Sequence, residues 1–122
     1  MSQVDRKALS RKYKESRRPA GLYRVRNAAI GKSLIGTSPD VPGMLNRQRF
    51  QLESGMHPDK ELQKDWNEGG TGAFTFEVLD QLEPKDDPTY DPSEDLSVLK
   101  AIWVEKLSAS GETFYRYTKP GA

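Results

Sequence analysis

Residues 21–26, Gly-Leu-Tyr-Arg-Val-Arg, and residues 32–36, Lys-Ser-Leu-Ile-Gly, are two short runs separated by turn-forming chemistry. In the first run a period of two puts Tyr23 and Val25 on one face and Leu22, Arg24 and Arg26 on the other, which is the pattern of an extended strand. Residues 27–31 supply the turn, and the second run returns beside the first. The hairpin fixes the first two strands of a sheet, and the rest of the chain is to be arranged around them.

The remaining elements follow from helical spacing and punctuation. Ahead of the hairpin, Leu9 and Tyr13 lie one turn apart in a basic segment that Pro19 closes, which predicts a short amphipathic helix and sets residues 1–20 apart from a domain over residues 21–122. Beyond the hairpin, Asp40 and Pro42 predict the start of a helix that runs to Glu53 and stops at Gly55. His57, Pro58 and Asp59 form a second break and cap, followed by a short helix carrying Leu62 and Trp66. Phe74, Phe76 and Val78 alternate with Thr75 and Glu77, a third strand. After an acidic, proline-broken loop over residues 84–92, Asp91, Pro92 and Glu94 predict a last helix, with a cap, a proline at its first position and a buried stripe of Leu96, Leu99, Trp103 and Leu107. Residues 112–117 can add an extended segment with Tyr115 and Tyr117 on one face. The order α-β-β-α-α-β-α predicts an α+β domain around a small, mainly antiparallel three-stranded sheet flanked by helices.

At 122 residues the chain has room for one small core. With no cysteine, disulfides and thiolate metal sites are excluded, and any chemistry must come from oxygen, imidazole, amine or guanidinium groups. Charges stand near the N-terminus where a signal peptide needs an apolar run, and no stretch approaches the roughly 20 apolar residues of a membrane span, so a cytoplasmic location is expected. Charge is distributed unevenly: residues 1–18 balance at +5 and residues 77–122 at −5. A basic leading segment that includes Arg17 and Arg18 can condense on a phosphate backbone, or it can dock on the acidic half of its own chain.

In order along the chain, GLYRVRNAAIGKSLIGTS, LNRQRFQLESGMHPDKELQKDWNEGG and AFTFEVLDQLEP resemble the GIY-YIG nuclease family, over roughly Gly21 to Tyr117. The resemblance implies an enzyme that cuts DNA with one divalent metal, using two hairpin tyrosines, an arginine on the next helix and a metal-holding glutamate on a later one. Carried over by position, the first tyrosine is Tyr23 and the second falls on Leu34. The arginine falls on Met44, a frequent histidine on Gln48, the glutamate on Lys100 and a late asparagine near Arg116. On this alignment Tyr23 and Leu34 are expected to face each other across the hairpin end.

These substitutions remove most of the reactive groups. A hard cation such as Mg2+ takes oxygen ligands, and a lysine ammonium repels it. The helix neighbours of Lys100 at three, four and seven positions include no carboxylate, so no cofactor is expected and Mg2+ enters only if the chain is an active nuclease. Arg47, three residues after Met44, is a candidate to reach a phosphate from one turn further on, or is a solvated helix charge. Tyr23 reads either as a vestige of the site or as a packed tyrosine with its hydroxyl satisfied. His57 reads as structural or exposed, and Trp66 and Trp103 as core. Gly31-Lys32-Ser33 lacks the upstream glycine of a phosphate loop and sits in a hairpin, and no nucleophile elbow is present.

The reading that results is a catalytically degenerate GIY-YIG-like domain that binds DNA through Arg47, Lys100, Arg17 and Arg18. Two alternatives stand beside it. One is an active Mg2+-dependent DNA endonuclease drawing a ligand from Glu77 or Asp80. The other is a protein-interaction domain using the acidic region over residues 86–95.

Overall fold

The computed structural model describes residues 19–69, 71–83 and 89–118. The expected basic helix with Arg17 and Arg18, and most of the acidic loop, lie outside them. The two predicted runs form strands β1 (Gly21–Asn27) and β2 (Lys32–Ser38), paired antiparallel with Tyr23 opposite Gly36 and Val25 opposite Leu34. Asn27 shapes the turn between them, its Oδ1 accepting from the Ala29 N–H at 3.2 Å. Tyr23 and Leu34 therefore share a face but sit diagonally, one pair apart, and do not meet head-on as expected.

Helix α1 (Val41–Glu53) begins where the sequence placed it, since the Asp40 carboxylate accepts from the Gly43 N–H at 3.1 Å and Pro42 stands in the first turn. Asp59 caps α2 (Lys60–Gly69) in the same way, from the Leu62 N–H at 3.1 Å. Strand β3 (Phe74–Gln81) pairs antiparallel with the far side of β1, with an irregularity between Leu22 and Tyr23. At Gly21 the β3 backbone comes so near that a Cβ would lie 2.2 Å from the Asp80 carbonyl oxygen, which leaves glycine as the residue that fits. Helix α3 (Ser93–Ala109) starts one residue later than expected, leaving Pro92 at the cap position, while Asp91 Oδ1 accepts from the Ser93 N–H at 3.0 Å.

The sheet has four strands among the described residues, in the order β3-β1-β2-β4, and is mixed. The fourth, β4 (Thr113–Phe114), lies parallel to β2 at Lys32 and Ser33. It corrects the three-stranded expectation, and the reason is its length: two residues carry no readable period. The ladder is extended by a side chain. Thr118 Oγ1 accepts from the Ile35 N–H at 2.8 Å and donates to the Ser33 carbonyl at 3.2 Å. Because residues 116–118 form a 3-10 turn, Tyr115 is fully buried while Tyr117 is exposed, not on one face as expected.

The two faces of the sheet are covered differently. On the first, Tyr23, Val25, Leu34 and Phe74 form one core with Val41 and Leu52 of α1, Leu62 and Trp66 of α2, and Tyr115. On the second, Leu22 and Ile35 are fully buried and α3 packs on β1 and β2, with the Trp103 indole N–H donating to Asp80 at 2.8 Å. Of the stripe predicted for α3 only Leu96 is buried; Leu99, Trp103 and Leu107 are half-buried, and Val98 and Ile102 are exposed.

The second face also carries a charged cluster. Arg24 and Arg26 point there, as their alternation requires, and both reach Glu112, whose side chain is only 6% exposed. Arg24 Nη2 bonds both carboxylate oxygens of Glu112 at 2.5 Å and its Nη1 reaches Glu77 at 3.0 Å, while Arg26 Nε and Ser33 Oγ donate to Glu112 at 2.9 and 2.8 Å. Burial raises the Glu112 carboxyl's pKa, but the bonds from Arg24, Ser33 and Arg26 outweigh it and hold the group below its ordinary value.

Candidate functional site

Tyr23 projects from the middle of β1 onto the α1 face, where its ring lies across Gly36 of β2. A Cβ at Gly36 would stand 2.3 Å from the Tyr23 hydroxyl and 2.4 Å from Cζ, so the glycine is what gives the ring its seat. Burial raises the phenol's pKa, and the positive charge of Arg47 pulls against it. Arg47 itself stands exposed on α1, three residues beyond Met44.

Three of the substituted positions lie in or against the core. Leu34 is 2% exposed inside the core, and Met44 packs against the same cluster. Gln48 is buried; its amide N–H lies 3.5 Å from the Met44 sulfur and its Oε1 bonds His57 Nε2. His57 is itself buried, with Nδ1 accepting from the Asp59 N–H at 3.0 Å. With Nδ1 as acceptor, Nε2 carries the proton and donates to Gln48, so the ring is neutral. Burial lowers its pKa below the ordinary value, against the raising influence of Asp59. The sequence reading missed this pair, because a helix residue and a residue of the following turn meet here with no periodic signal connecting them.

Lys100 stands on the other face. It is half-buried on α3, lining a cavity of about 480 Å³ with Thr37, Ser97, Ala101, Val104, Glu105 and Ser108. Burial lowers the ammonium's pKa, and no ion pair holds it among the described residues. Lys100 and Arg47 are therefore not one patch; they approach the sheet from opposite sides, where the Tyr23 ring seat and the Lys100 cavity involve the adjacent residues Gly36 and Thr37. Arg116 is further removed, in a cavity of about 410 Å³ with Pro58, Asp59, Lys60, Glu61 and Tyr117.

Among the described residues no three of His, Cys, Asp or Glu gather to hold a metal. Glu77 and Asp80, the alternative ligands, are engaged with Arg24 and with the Trp103 indole. What the arrangement offers chemically is charge-assisted hydrogen bonding to an anion, from Arg47 on one side and Lys100 on the other. No described helix is long and apolar enough to cross a membrane.

No family model matches the chain, and no curated protein does. Two solved structures do. One is the catalytic domain of the homing endonuclease I-TevI, with a TM-score of 0.60, 20% identity, and coverage of 77% of this chain and 94% of that one. The other is a glutamate-to-alanine mutant of the catalytic domain of the intron endonuclease I-TevI, with a TM-score of 0.59 and 21% identity over 80% of this chain and 92% of that one. At these identities the likeness shows the fold alone, and the fold of this chain is the GIY-YIG fold.

Proposed function

We propose that the chain is a nuclease-fold module that binds DNA through its phosphates and does not cut it. What supports this reading is that Lys100, half-buried on α3 and without an ion-pair partner among the described residues, is the residue onto which the family resemblance carries the metal-holding glutamate. A fixed ammonium can take up phosphate charge but cannot ligate a cation or activate water. The companion replacements act in the same direction. Leu34 brings a hydrocarbon where a hydroxyl would orient water or phosphate, and Met44 brings a thioether where a guanidinium would meet developing charge.

The test is plasmid nicking and binding on one preparation. The purified chain is expected to leave supercoiled DNA intact in Mg2+ or Mn2+, and to bind duplex with a log-log salt slope of roughly −0.9 per phosphate contact. Lys100→Ala with Arg47→Ala should weaken binding and flatten that slope. Metal-dependent nicking that disappears in Tyr23→Phe would establish the endonuclease alternative instead.

A second reading, a protein-interaction domain, draws on α3. Val98 and Ile102 are 56% and 53% exposed on a helix that buries only Leu96. Absence of DNA binding at low salt would favour it.

A further inference from the structure

Helix α1 turns one side to the core and leaves Asn46, Arg47, Arg49 and Phe50 on the other. Phe50 is 65% exposed, and Met56, just past the helix end, is 68% exposed. Isolated apolar residues on a surface need no explanation, but an aromatic ring surrounded by guanidinium and amide groups is a particular combination. Arg47 is three residues before Phe50 and Asn46 four, so both flank the ring on the helix surface. Neither Arg47 nor Arg49 makes an ion pair among the described residues, although Glu53 lies one turn from Arg49. Arg49 instead places its guanidinium 4.6 Å over the Phe76 ring, which holds it beside the sheet.

We infer that the outer ridge of α1 is a binding site for unpaired nucleotides, with Phe50 stacking on a base and Arg47 and Arg49 on the flanking phosphates. The inference rests on the phosphate-binding reading above and specifies the form of nucleic acid. Intact duplex hides its base faces and offers Phe50 nothing to stack on, whereas single strands, loops and frayed ends expose both a π-face and a phosphate at every step. A protein partner docking through Phe50 would have to desolvate two guanidiniums beside it, while a polyanion is complementary to them. Stacking of this kind tolerates any base, so no strong sequence preference is expected.

The test measures fluorescence anisotropy with three fluorescein-labelled oligonucleotides of equal length at fixed salt: a single strand, a duplex and an abasic single strand. The full chain should bind the single strand more tightly than the duplex. Phe50→Ala should lose roughly tenfold on the single strand, little on the duplex and nothing on the abasic strand, and Phe50→Tyr should restore binding where Phe50→Leu does not. Arg47→Ala should weaken all three ligands and reduce the salt slope. Because Phe50 is exposed, these variants keep their fold, which circular dichroism checks. If Phe50→Ala binds the single strand as wild type does while salt-dependent duplex binding persists, this inference is wrong and the phosphate-binding reading stands. If none of the oligonucleotides binds at low salt, both are wrong.

Discussion

Replacing Gly36 by alanine tests the geometry on which the site description depends. The added methyl would stand 2.3 Å from the Tyr23 hydroxyl, 2.4 Å from Cζ and 2.6 Å from Cε1, all closer than carbon and oxygen tolerate. Relief has to come from the ring, because β1 is held between β2 and β3 and its backbone cannot retreat. The ring is 9% exposed within the core, so it has little room and must leave its rotamer. Overpacking of this kind costs about 1–3 kcal/mol. Against it stands a gain of roughly 0.5–1 kcal/mol, because alanine loses less conformational freedom than glycine on folding. A net loss of about 1–2 kcal/mol is therefore expected. Urea unfolding followed by the fluorescence of Trp66 and Trp103 reads it as a lower midpoint, by roughly 0.3–2 M for a slope of about 1–3 kcal/mol per molar. Tyr23→Leu removes the obstructing ring, so Gly36→Ala should cost little or nothing in that background, and the cycle should show coupling of about 1 kcal/mol or more. Equal costs in both backgrounds, or a stabilised Gly36→Ala single variant, would refute the ring-on-glycine arrangement.

Two further predictions concern pH and buried charge. Glu112→Gln, which leaves Arg24 facing a neutral amide at a buried position, should cost roughly 3 kcal/mol at neutral pH, the lower part of the range for breaking a buried pair because Arg24 retains Glu77 and Arg26 is partly exposed. Since the native Glu112 pKa is depressed, its contribution is present above the unfolded value of about 4.3 and is lost as pH falls through the native one; the variant's deficit should shrink in acid, as denaturant melts at several pH values would show. His57 has the opposite charge type and is also lowered, so below pH of about 6.5 the unfolded chain takes up a proton that the native ring resists, and stability should decline with falling pH. A His57→Asn variant should be weaker at neutral pH yet flatter across that window; an unchanged slope would mean that His57 is not the group responsible.

Local chemistry made much of the fold legible. The hairpin, the Asp40 and Asp59 caps and the third strand depend on neighbours a few residues apart, and each stands where spacing put it. What was not legible depends on distant partners. Alternation already put Arg24 and Arg26 on the same face as Leu22, and two arginines on an inward face require an acid, but nothing local singled out Glu112 from the other carboxylates. Residues with Gln48's spacing serve equally well as helix surface, so its bond to the His57 imidazole had no signature. The diagonal placement of Tyr23 and Leu34 follows from register, which the hairpin turn decides and composition does not. Matching positions to a family singled out Lys100 and Arg47 as candidates, but gave no sign of the cavity that Lys100 lines or of the sheet that separates the two.

The two-residue strand β4 and Thr118 bear on how the molecule comes apart. Their bonds join residues about eighty positions distant, so the chain must fold α3 and return before Ser33 and Ile35 acquire their outer partners. A rung this short, held by Tyr115, Thr118 and the Glu112 pairs, is expected to open as a unit below the cost of global unfolding. In native-state hydrogen exchange the Ile35 amide should then lose protection ahead of amides bonded between β1 and β3. Each opening would bare the guanidinium of Arg24 for as long as the segment stays away, making residues 112–118 a reversible cover over a charge that the folded sheet otherwise keeps largely from water.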